Sequence, residues 1–305
     1  MSAASAAVSL EHVGLVGFGI MGAAIAPKLL AAGHAVTVFD ANPDAMVRAV
    51  ELGCTSVSTA AEVARRARVI LISLPRPEHV DAVVRLGDDN LLDGATAGTV
   101  IVDTSTVDPA TSERNAAAAR KLGIGYLDCP VLGRPSGAGS WTLPTGGDAA
   151  DVTTAMPVLK TFAASVVHLG PTGAGNRLKL LNNLMFGVIN SATAEMFALA
   201  SQLGVEPRVA YDTIVDSGAG TVSNLFRELG PKVVEGDFSA AFSVDNLEKD
   251  VGLGLAMARD AGISLEVSEA GQRLNQRAQA AGYGSEDSAA VTKVVAESDA
   301  EADRS

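Results

Sequence analysis

Cysteine is scarce in this sequence. Only Cys54 and Cys129 occur among the 305 residues, and they are neither close together nor spaced as zinc ligands are. Isolated cysteines of this kind are typically small, buried apolar residues. We therefore expect both side chains to be buried, and the cysteine pattern predicts no metal site.

Basic residues are also in the minority, because 23 Lys and Arg side chains stand against 35 Asp and Glu side chains, a net charge of −12. An acidic balance opposes non-specific binding to nucleic acids and favours solubility. The opening residues, Met-Ser-Ala-Ala-Ser-Ala-Ala, lack the basic start and apolar core of a signal peptide. No stretch is expected to reach the roughly 20 apolar residues that a membrane span needs. These absences predict a cytoplasmic protein with no nucleic-acid or membrane partner.

The first half of the chain contains a regular alternation of short β-rich runs and Ala-rich helical stretches. Strands that alternate with helices are typical of a parallel, doubly wound sheet, so we predict an α/β Rossmann domain over residues 10–170. Asp108 before Pro109 is a typical helix N-cap with proline at the first helical position. The predicted strands are 12–16, 35–39, 69–74, 100–102, 125–127 and 166–169, and the predicted helices are 20–32, 44–51, 60–66 and 109–122.

The pattern changes after Pro171. Residues 173–203 contain no convincing helix breaker apart from the isolated Gly187, so they predict one helix much longer than average. We therefore predict an all-α domain over residues 171–297, with this long interdomain helix as its spine, and a frayed acidic tail over residues 298–305. The remaining predicted helices are 207–215, 222–229, 244–261 and 265–280.

A glycine-rich loop follows the first predicted strand and leads into a helix. In a dinucleotide fingerprint, the first glycine permits a tight turn, the second lets the backbone approach a pyrophosphate, and the third permits close helix packing. Free N–H groups at the helix N-terminus favour the negative charge of the pyrophosphate. The six residues of this predicted dinucleotide-binding loop are Gly17, Phe18, Gly19, Ile20, Met21 and Gly22.

Asp40 lies at the end of the second predicted strand, close to the roughly 20-residue offset at which an acidic residue binds the ribose 2′-hydroxyl. A carboxylate at this point repels a 2′-phosphate, so the sequence favours NAD over NADP. Helix capping before Asn42 is the alternative role for Asp40.

Two further loops follow later strands. Ligands of open parallel sheets bind beyond the carboxyl ends of the strands. Leu74 and Pro75 follow the third predicted strand, and Ser105 and Thr106 follow the fourth. We expect these four residues to contact the cofactor, although Ser105 and Thr106 could equally be simple helix caps.

A Gly-rich segment, residues 128–139, follows the fifth predicted strand. Its backbone N–H groups would lie beside the expected nicotinamide. Arg134 in this segment could pair with a substrate carboxylate. An ordinary solvated surface arginine is the alternative.

Lys179, Asn182 and Asn183 lie close together in the predicted long helix. A helix advances 3.6 residues per turn, so these three side chains share one face. An ammonium and two amides on one face suit a small oxygen-bearing molecule. We predict that these residues bind the substrate.

Together these motifs resemble the β-hydroxyacid dehydrogenase family, a branch of the 6-phosphogluconate dehydrogenase superfamily that includes 3-hydroxyisobutyrate dehydrogenases. The similarity extends over residues 13–291. The motifs that carry it are the glycine loop, Asp128-Cys-Pro-Val-Leu132-Gly133-Arg134, Gly173-x-Gly175-x-x-x-Lys179-x-x-Asn182-Asn183, Lys249-Asp250-x-x-Leu253-x-Leu255-Ala256 and Gly284-x-x-Asp287-Ser288-Ala289.

The resemblance implies reversible hydride transfer between NAD and a small 3-hydroxy acid or semialdehyde. It implies that Lys179 is the general acid and base, that Asn183 holds the substrate, and that Lys249 reaches the cofactor or substrate. Leu74, Pro75 and Thr106 would line the NAD site. Family members are usually dimers or tetramers, with the helical domain supplying the interface.

The Gly-rich segment 128–139 corresponds to the substrate loop of the family, and we call it the substrate loop. It departs from the family pattern, because Leu132-Gly133-Arg134 replaces the usual Ser-Gly-Gly. We expect the backbone N–H groups of Leu132 and Gly133 to hold the substrate carboxylate. We hypothesise that Arg134 helps to bind the substrate carboxylate and that the Leu132 side chain forms an apolar wall of the substrate pocket.

Two alternative functions stay open. An imine reductase would share this architecture and use NADPH, but Asp40, Asp128 and the helix that carries Lys179 argue against it. A non-catalytic NAD-binding interaction protein would keep the fold, and the presence of Lys179 argues against that function.

Overall fold

The computed structural model describes residues 12–218 and 220–302. The chain forms two compact units, which we call the first unit, up to Lys179, and the second unit, from Leu180 onwards. The structure thus divides the chain later than the predicted boundary after residue 170, because the first turn of the long helix binds side chains of the first unit. The predicted start of the first domain at residue 10, the N-terminal residues 1–7 and the tail residues 303–305 lie outside the described residues.

The first unit contains a sheet of eight strands in the order β3-β2-β1-β4-β5-β6-β7-β8. Neighbouring strands are parallel except for β6 and β7, which pair in antiparallel fashion through Asp128 and Gly146. The strands are β1 (His12–Val16), β2 (Ala35–Phe39), β3 (Thr55–Ser56), β4 (Val69–Ile72), β5 (Val100–Asp103), β6 (Gly125–Asp128), β7 (Trp141–Gly146) and β8 (Ala163–Gly170).

The predicted fold class is confirmed, with β3 and β7 as strands that the sequence pattern did not predict. Strand β3 has two exposed residues, and β7 contains Pro144 and ends at Gly146, residue types that are depleted in strands. Among the described strands, the pairing of β6 with β7 is the one antiparallel pairing in the predicted parallel sheet. The sheet is therefore mostly parallel, with one antiparallel pair.

Helices cover both faces of this sheet, since along β4 Val69 and Leu71 belong to one buried apolar cluster while Ile70 and Ile72 belong to another. Asp108 accepts a 2.8 Å hydrogen bond from the Thr111 N–H and caps a helix, as predicted. The helices of the first unit are α1 (Ile20–Ala31), α2 (Pro43–Glu51), α3 (Ala60–Ala64), α4 (Pro77–Asp81), the π-helix Ala82–Leu86, α5 (Leu91–Gly94), α6 (Pro109–Arg120), the 3₁₀ helix Pro135–Gly137 and α7 (Ala149–Leu159).

The predicted burial of both cysteines is confirmed. Cys129 lies in the sheet core, where burial raises the pKa of its thiol to about 12. Burial also raises the pKa of Cys54. Neither thiol is suited to act as a nucleophile at neutral pH, because the reactive form is the thiolate.

The second unit is built from helices, and an isolated bridge between Ser243 and Asp287 is the one β pairing among its described residues. Helix α13 continues to Ala302, into the predicted frayed tail, because Ala and Glu favour helix. The helices are α8 (Ala174–Gln202), which begins in the first unit, α9 (Pro207–Ser217), α10 (Asn224–Glu235), α11 (Val244–Asp260), α12 (Glu266–Ala280), the 3₁₀ helix Ser288–Ala290 and α13 (Val291–Ala302).

Helix α8 corrects the expectation that no stretch is long and apolar enough for a membrane span. By length and composition it meets that criterion, with a mean hydropathy of 1.3 over its most apolar window. However, Asn183 and Asn190 in this helix are buried and donate hydrogen bonds to Asp250 and to the Ser288 carbonyl within the second unit. Such contacts are those of a central helix in a folded domain, and central helices pass the same test.

Candidate active site

The three glycines of the loop between β1 and α1 each meet a different spatial requirement. Gly17 has a φ of +94°, and a Cβ there would overlap the Ser73 carbonyl. A Cβ at Gly22 would overlap the Gly17 carbonyl, so α1 can start close to the turn only with glycine at this position. A Cβ at Gly19 would meet no atom within 4 Å. The space above Gly19 is open for a ligand to approach the backbone.

The N-terminus of α1 lies at this open space. Gly19 is the N-cap residue and provides no side-chain cap, and the first turn contains no acidic residue. The first N–H groups of a helix lack intrahelical partners and carry positive partial charge. An uncapped helix start beside an open glycine fits the diphosphate of a dinucleotide. Within the loop, the Phe18 side chain is buried, Met21 is half-buried and Ile20 is 58% exposed.

Asp40 ties the glycine loop to the end of β2. Its carboxylate accepts the Phe18 N–H at 2.5 Å and the Asn42 N–H at 2.7 Å. Helix α2 is capped by Asn42, whose side chain accepts the Asp44 N–H, so Asp40 is not the cap of that helix. The carboxylate stands at the position where a dinucleotide-binding domain presents an acid to the ribose.

The loops after β4 and β5 are joined by a chain of hydrogen bonds. The Leu74 N–H donates to the Ser105 hydroxyl at 2.9 Å, and the Ser105 N–H donates to the Asp103 carboxylate at 2.9 Å. The Ser105 hydroxyl therefore links the loop after β5 to the loop after β4, and Ser105 is not a simple helix cap. Pro75 is exposed and Thr106 is partly exposed beside this link.

Asp103 is a buried residue of this network that was not among the site residues predicted from the sequence. Tyr126 donates its hydroxyl to Asp103 at 2.8 Å, and both side chains are buried. Burial raises the pKa of Asp103 to about 6, although its hydrogen bonds act in the opposite direction. An aspartate directly after the apolar run Val100-Ile-Val was the available signal.

The substrate loop is fixed by Trp141. The indole Nε1–H of Trp141 donates to the Arg134 carbonyl at 2.7 Å, and a Cβ at Gly133 would overlap the indole ring. The Leu132 N–H donates to the Thr142 carbonyl at 2.9 Å. The expectation that the Leu132 N–H holds a substrate carboxylate is therefore wrong, because that donor is already engaged by β7.

The ammonium of Lys179 is held at the same loop. Lys179 is partly buried on α8, and its Nζ donates to the Val131 carbonyl at 2.8 Å. Val131 directly precedes Leu132, so within the first unit the structure brings this amine to the predicted substrate loop.

The second unit contains a separate polar cluster around Asp250. Asn183 is buried, donates to Asp250 Oδ2 at 2.5 Å and accepts a 3.1 Å hydrogen bond from the exposed Asn182. The ammonium of Lys249 lies 2.8 Å from Asp250 Oδ1. Asp250 therefore contacts two of the predicted site residues. The motif Lys249-Asp250 was the available signal for Asp250 in the sequence, although no role for Asp250 was predicted from it.

No group of three or more His, Cys, Asp or Glu side chains could hold a metal ion among residues 12–218 and 220–302.

A sequence model described as the NAD binding domain of 6-phosphogluconate dehydrogenase matches residues 12–170. A second, described as "NAD-binding of NADP-dependent 3-hydroxyisobutyrate dehydrogenase", matches residues 173–295. The 3-hydroxyisobutyrate dehydrogenase of Pseudomonas aeruginosa is 34% identical, over 82% of this chain and 86% of that protein. The chain belongs to the β-hydroxyacid dehydrogenase family.

Other members of the family match over almost the whole length. The 2-(hydroxymethyl)glutarate dehydrogenase of Eubacterium barkeri is 32% identical over 92% of this chain and 94% of that protein. The crystal structure of the 3-hydroxyisobutyrate dehydrogenase from Salmonella typhimurium superposes with a TM-score of 0.86 at 32% identity, over 93% of this chain and 99% of that one. The predicted enzyme class, an NAD-dependent oxidoreductase of the hydroxyacid dehydrogenases, is confirmed at this level.

Proposed function

We propose that this enzyme interconverts a small 3-hydroxy acid and its semialdehyde, with Lys179 as the general acid and base. When bound, NAD would accept the hydride in the oxidation, and NADH would donate it in the reduction. The observation that carries the proposal is the 2.8 Å hydrogen bond from the Lys179 ammonium to Val131 at the substrate loop. An amine at this position can exchange a proton with the substrate oxygen.

Lys179 has opposite tasks in the two directions. During oxidation, the neutral amine removes the proton of the substrate hydroxyl as the C–H bond breaks. During reduction, the ammonium donates a proton to the developing alkoxide. Proton transfer by a positioned side chain contributes about 10²–10⁴-fold to a rate in enzymes generally.

The substrate carboxylate is assigned to the loop that contains Gly133 and Arg134. Arg134 offers a charged, planar donor set that suits a carboxylate. The side chain of Leu132 is the proposed apolar wall. Relatives act on acids of this kind, as the names 3-hydroxyisobutyrate dehydrogenase and 2-(hydroxymethyl)glutarate dehydrogenase state.

In the second unit, Asn183 and Asn182 are assigned to the substrate, and Lys249 to the cofactor or substrate. The hydrogen bond and ion pair to Asp250 fix the side chains of Asn183 and Lys249. These roles rest on the family resemblance.

A substrate panel tests the reaction and the ligand class together. It consists of 3-hydroxyisobutyrate, serine, glycerate, 3-hydroxypropionate and 4-hydroxybutyrate, each with NAD and with NADP. We expect NAD-dependent oxidation of at least one acid, and no oxidation of its amide, because the amide lacks the carboxylate. Oxidation supported by NADP alone would contradict the role of Asp40 while keeping the reaction type, and inactivity on every acid combined with NADPH-dependent reduction of a cyclic imine would favour the imine reductase alternative. Inactivity across the panel would favour the non-catalytic alternative.

Lys179→Ala tests the catalytic assignment. We expect turnover to fall by at least 10²-fold because the proton-transfer group is lost, while NADH binding measured by fluorescence titration is retained. Lys160→Ala, at an exposed lysine that caps the end of α7, is the control and should keep full turnover. Retained turnover in Lys179→Ala would overturn the assignment.

A further inference from the structure

We propose that Asp128 is a positioning residue, which fixes the start of helix α8 and thereby holds Lys179 against the substrate loop. This inference rests on the proposed function of Lys179. Asp128 ends strand β6, and its side chain is fully buried, so it acts through the protein rather than on the substrate.

The two carboxylate oxygens of Asp128 bind the beginning of α8 directly. Oδ1 accepts the Gly173 N–H at 2.6 Å, and Oδ2 accepts the Asn176 N–H at 2.8 Å. Helix α8 begins at Ala174, so these are N–H groups of the helix start that have no partner within the helix. Asp128 thus caps the helix from a strand that lies 45 residues earlier in the sequence.

Two glycines allow the carboxylate to approach so closely. A Cβ at Gly175 would lie 2.5 Å from the Asp128 carbonyl oxygen, and a Cβ at Gly146 would lie 2.5 Å from Asp128 Oδ1. Gly146 is also the partner of Asp128 in the antiparallel pair of β6 and β7. The helix start therefore fits against Asp128 in one position, with little room to shift.

The segment that begins at Asp128 makes a second contact with the same helix. Its Val131 carbonyl accepts the Lys179 ammonium, and Pro130 between the two contact points restricts the backbone, since proline fixes φ. Hydrogen bonds therefore join the helix and the loop at two points, at the helix start through Asp128 and at the Lys179 ammonium through Val131. A change in the hydrogen bonds between Asp128 and the helix start would move Lys179 relative to the loop that is assigned to the substrate.

The electrostatics of the contact agree with this role. Burial raises the pKa of Asp128, whereas the hydrogen bonds from Asn176 and Gly173 lower it. The N-terminus of a helix carries positive partial charge, which favours a carboxylate beside it. The helix contact thus favours the ionised form, in which both oxygens can accept an N–H.

Asp128→Asn tests the inference because it keeps the shape of the side chain and replaces one acceptor by an NH₂ group that faces an N–H donor. Turnover is measured with the best acid of the panel and divided by the number of NADH-binding sites from fluorescence titration. We expect kcat per site to fall at least tenfold, with KM and the NADH dissociation constant within threefold of wild type. Asp148→Asn, which alters the exposed cap of α7, is the matched control and should keep its kcat per site.

The normalisation separates positioning from stability, because partial unfolding removes NADH sites but leaves kcat per site unchanged. A kcat per site within fivefold of wild type would overturn the inference, and a larger loss supports it. If Asp128→Asn does not fold, Gly175→Ala decides by the same criterion, since its methyl group would press on Asp128 from the helix side. Failure of the proposed function is recognised separately: an active Lys179→Ala overturns that function, whereas an inactive Lys179→Ala beside an active Asp128→Asn overturns the positioning role alone.

Discussion

Asp103 combines full burial with a place in the network that joins two loops of the predicted cofactor site. Tyr126 and the Ser105 N–H donate to it, yet desolvation is the largest influence and raises its pKa to about 6. An acid with a raised pKa in the folded state binds its proton more tightly there than in the unfolded chain. The contribution of Asp103 to the free energy of unfolding therefore decreases as the pH rises from about 4 to about 6, and it is constant above that range.

Asp103→Asn removes this pH dependence. We expect the wild-type free energy of unfolding to decrease relative to that of the variant between pH 4 and pH 6, by up to about 3 kcal/mol. Trp141, the single tryptophan of the chain, lies in the first unit, so its fluorescence in urea titrations follows the unit that contains Asp103. Parallel pH profiles for wild type and Asp103→Asn would contradict the prediction, and exposed Asp148→Asn is the control.

The loop between β1 and α1 uses one glycine for cofactor binding and another for folding. Gly19 has open space where a Cβ would be, whereas a Cβ at Gly22 would overlap the Gly17 carbonyl. The two glycines thus serve different purposes within the same turn. Gly19 leaves room for a ligand, and Gly22 leaves room for the helix.

Substitution of these glycines by alanine should have distinguishable effects. Gly19→Ala is expected to weaken NADH binding at least tenfold with only a small fall in the thermal midpoint, because the methyl group fills ligand space and alanine is a somewhat poorer N-cap than glycine. Gly22→Ala is expected to lower both the NADH affinity and the midpoint, because α1 must move. Fluorescence titration and thermal unfolding measure the two quantities. Unchanged affinity in Gly19→Ala would exclude the loop as the diphosphate site.

Helix α8 contains a regular series of buried asparagines. Asn176, Asn183 and Asn190 recur every seven residues, which is about two helical turns, and all three are buried. Asn176 accepts the Val107 N–H and donates to Ser112, both in the first unit, while the other two bind groups of the second unit. The spacing could be read from the sequence, but the partners could not, because they lie far away along the chain.

The second unit exposes several large apolar side chains. Leu203 is 71% exposed, Leu199 is 59% exposed one turn earlier, and Val209 and Val267 are 57% and 66% exposed. Exposed apolar surface of this kind is typical of association sites. We propose that the enzyme is a homodimer or homotetramer that associates through this unit, in the cytoplasm.

Leu203→Lys tests the association. We expect the mass from light scattering to fall towards that of the 31.0 kDa chain, because a charged side chain would be buried in the interface. Leu86→Lys, at a leucine of the first unit that is 65% exposed, is the matched control and should leave the mass unchanged. A monomeric wild type, or the same mass for Leu203→Lys as for wild type, would contradict the proposal.

Four features followed from the amino-acid sequence: the alternation of strands and helices, the glycine loop, the position of Asp40 and the helix that carries Lys179. Each of these is a local pattern, encoded by residues that are neighbours along the chain. The three-dimensional structure was needed to establish the direction of β7, the hydrogen bond of the Leu132 N–H, and the contacts of Asp103, Asp128 and Asp250. Those contacts join residues as many as 67 positions apart, as Asn183 and Asp250 are, and a hydrogen bond over such a separation exists only once packing has brought its two atoms together.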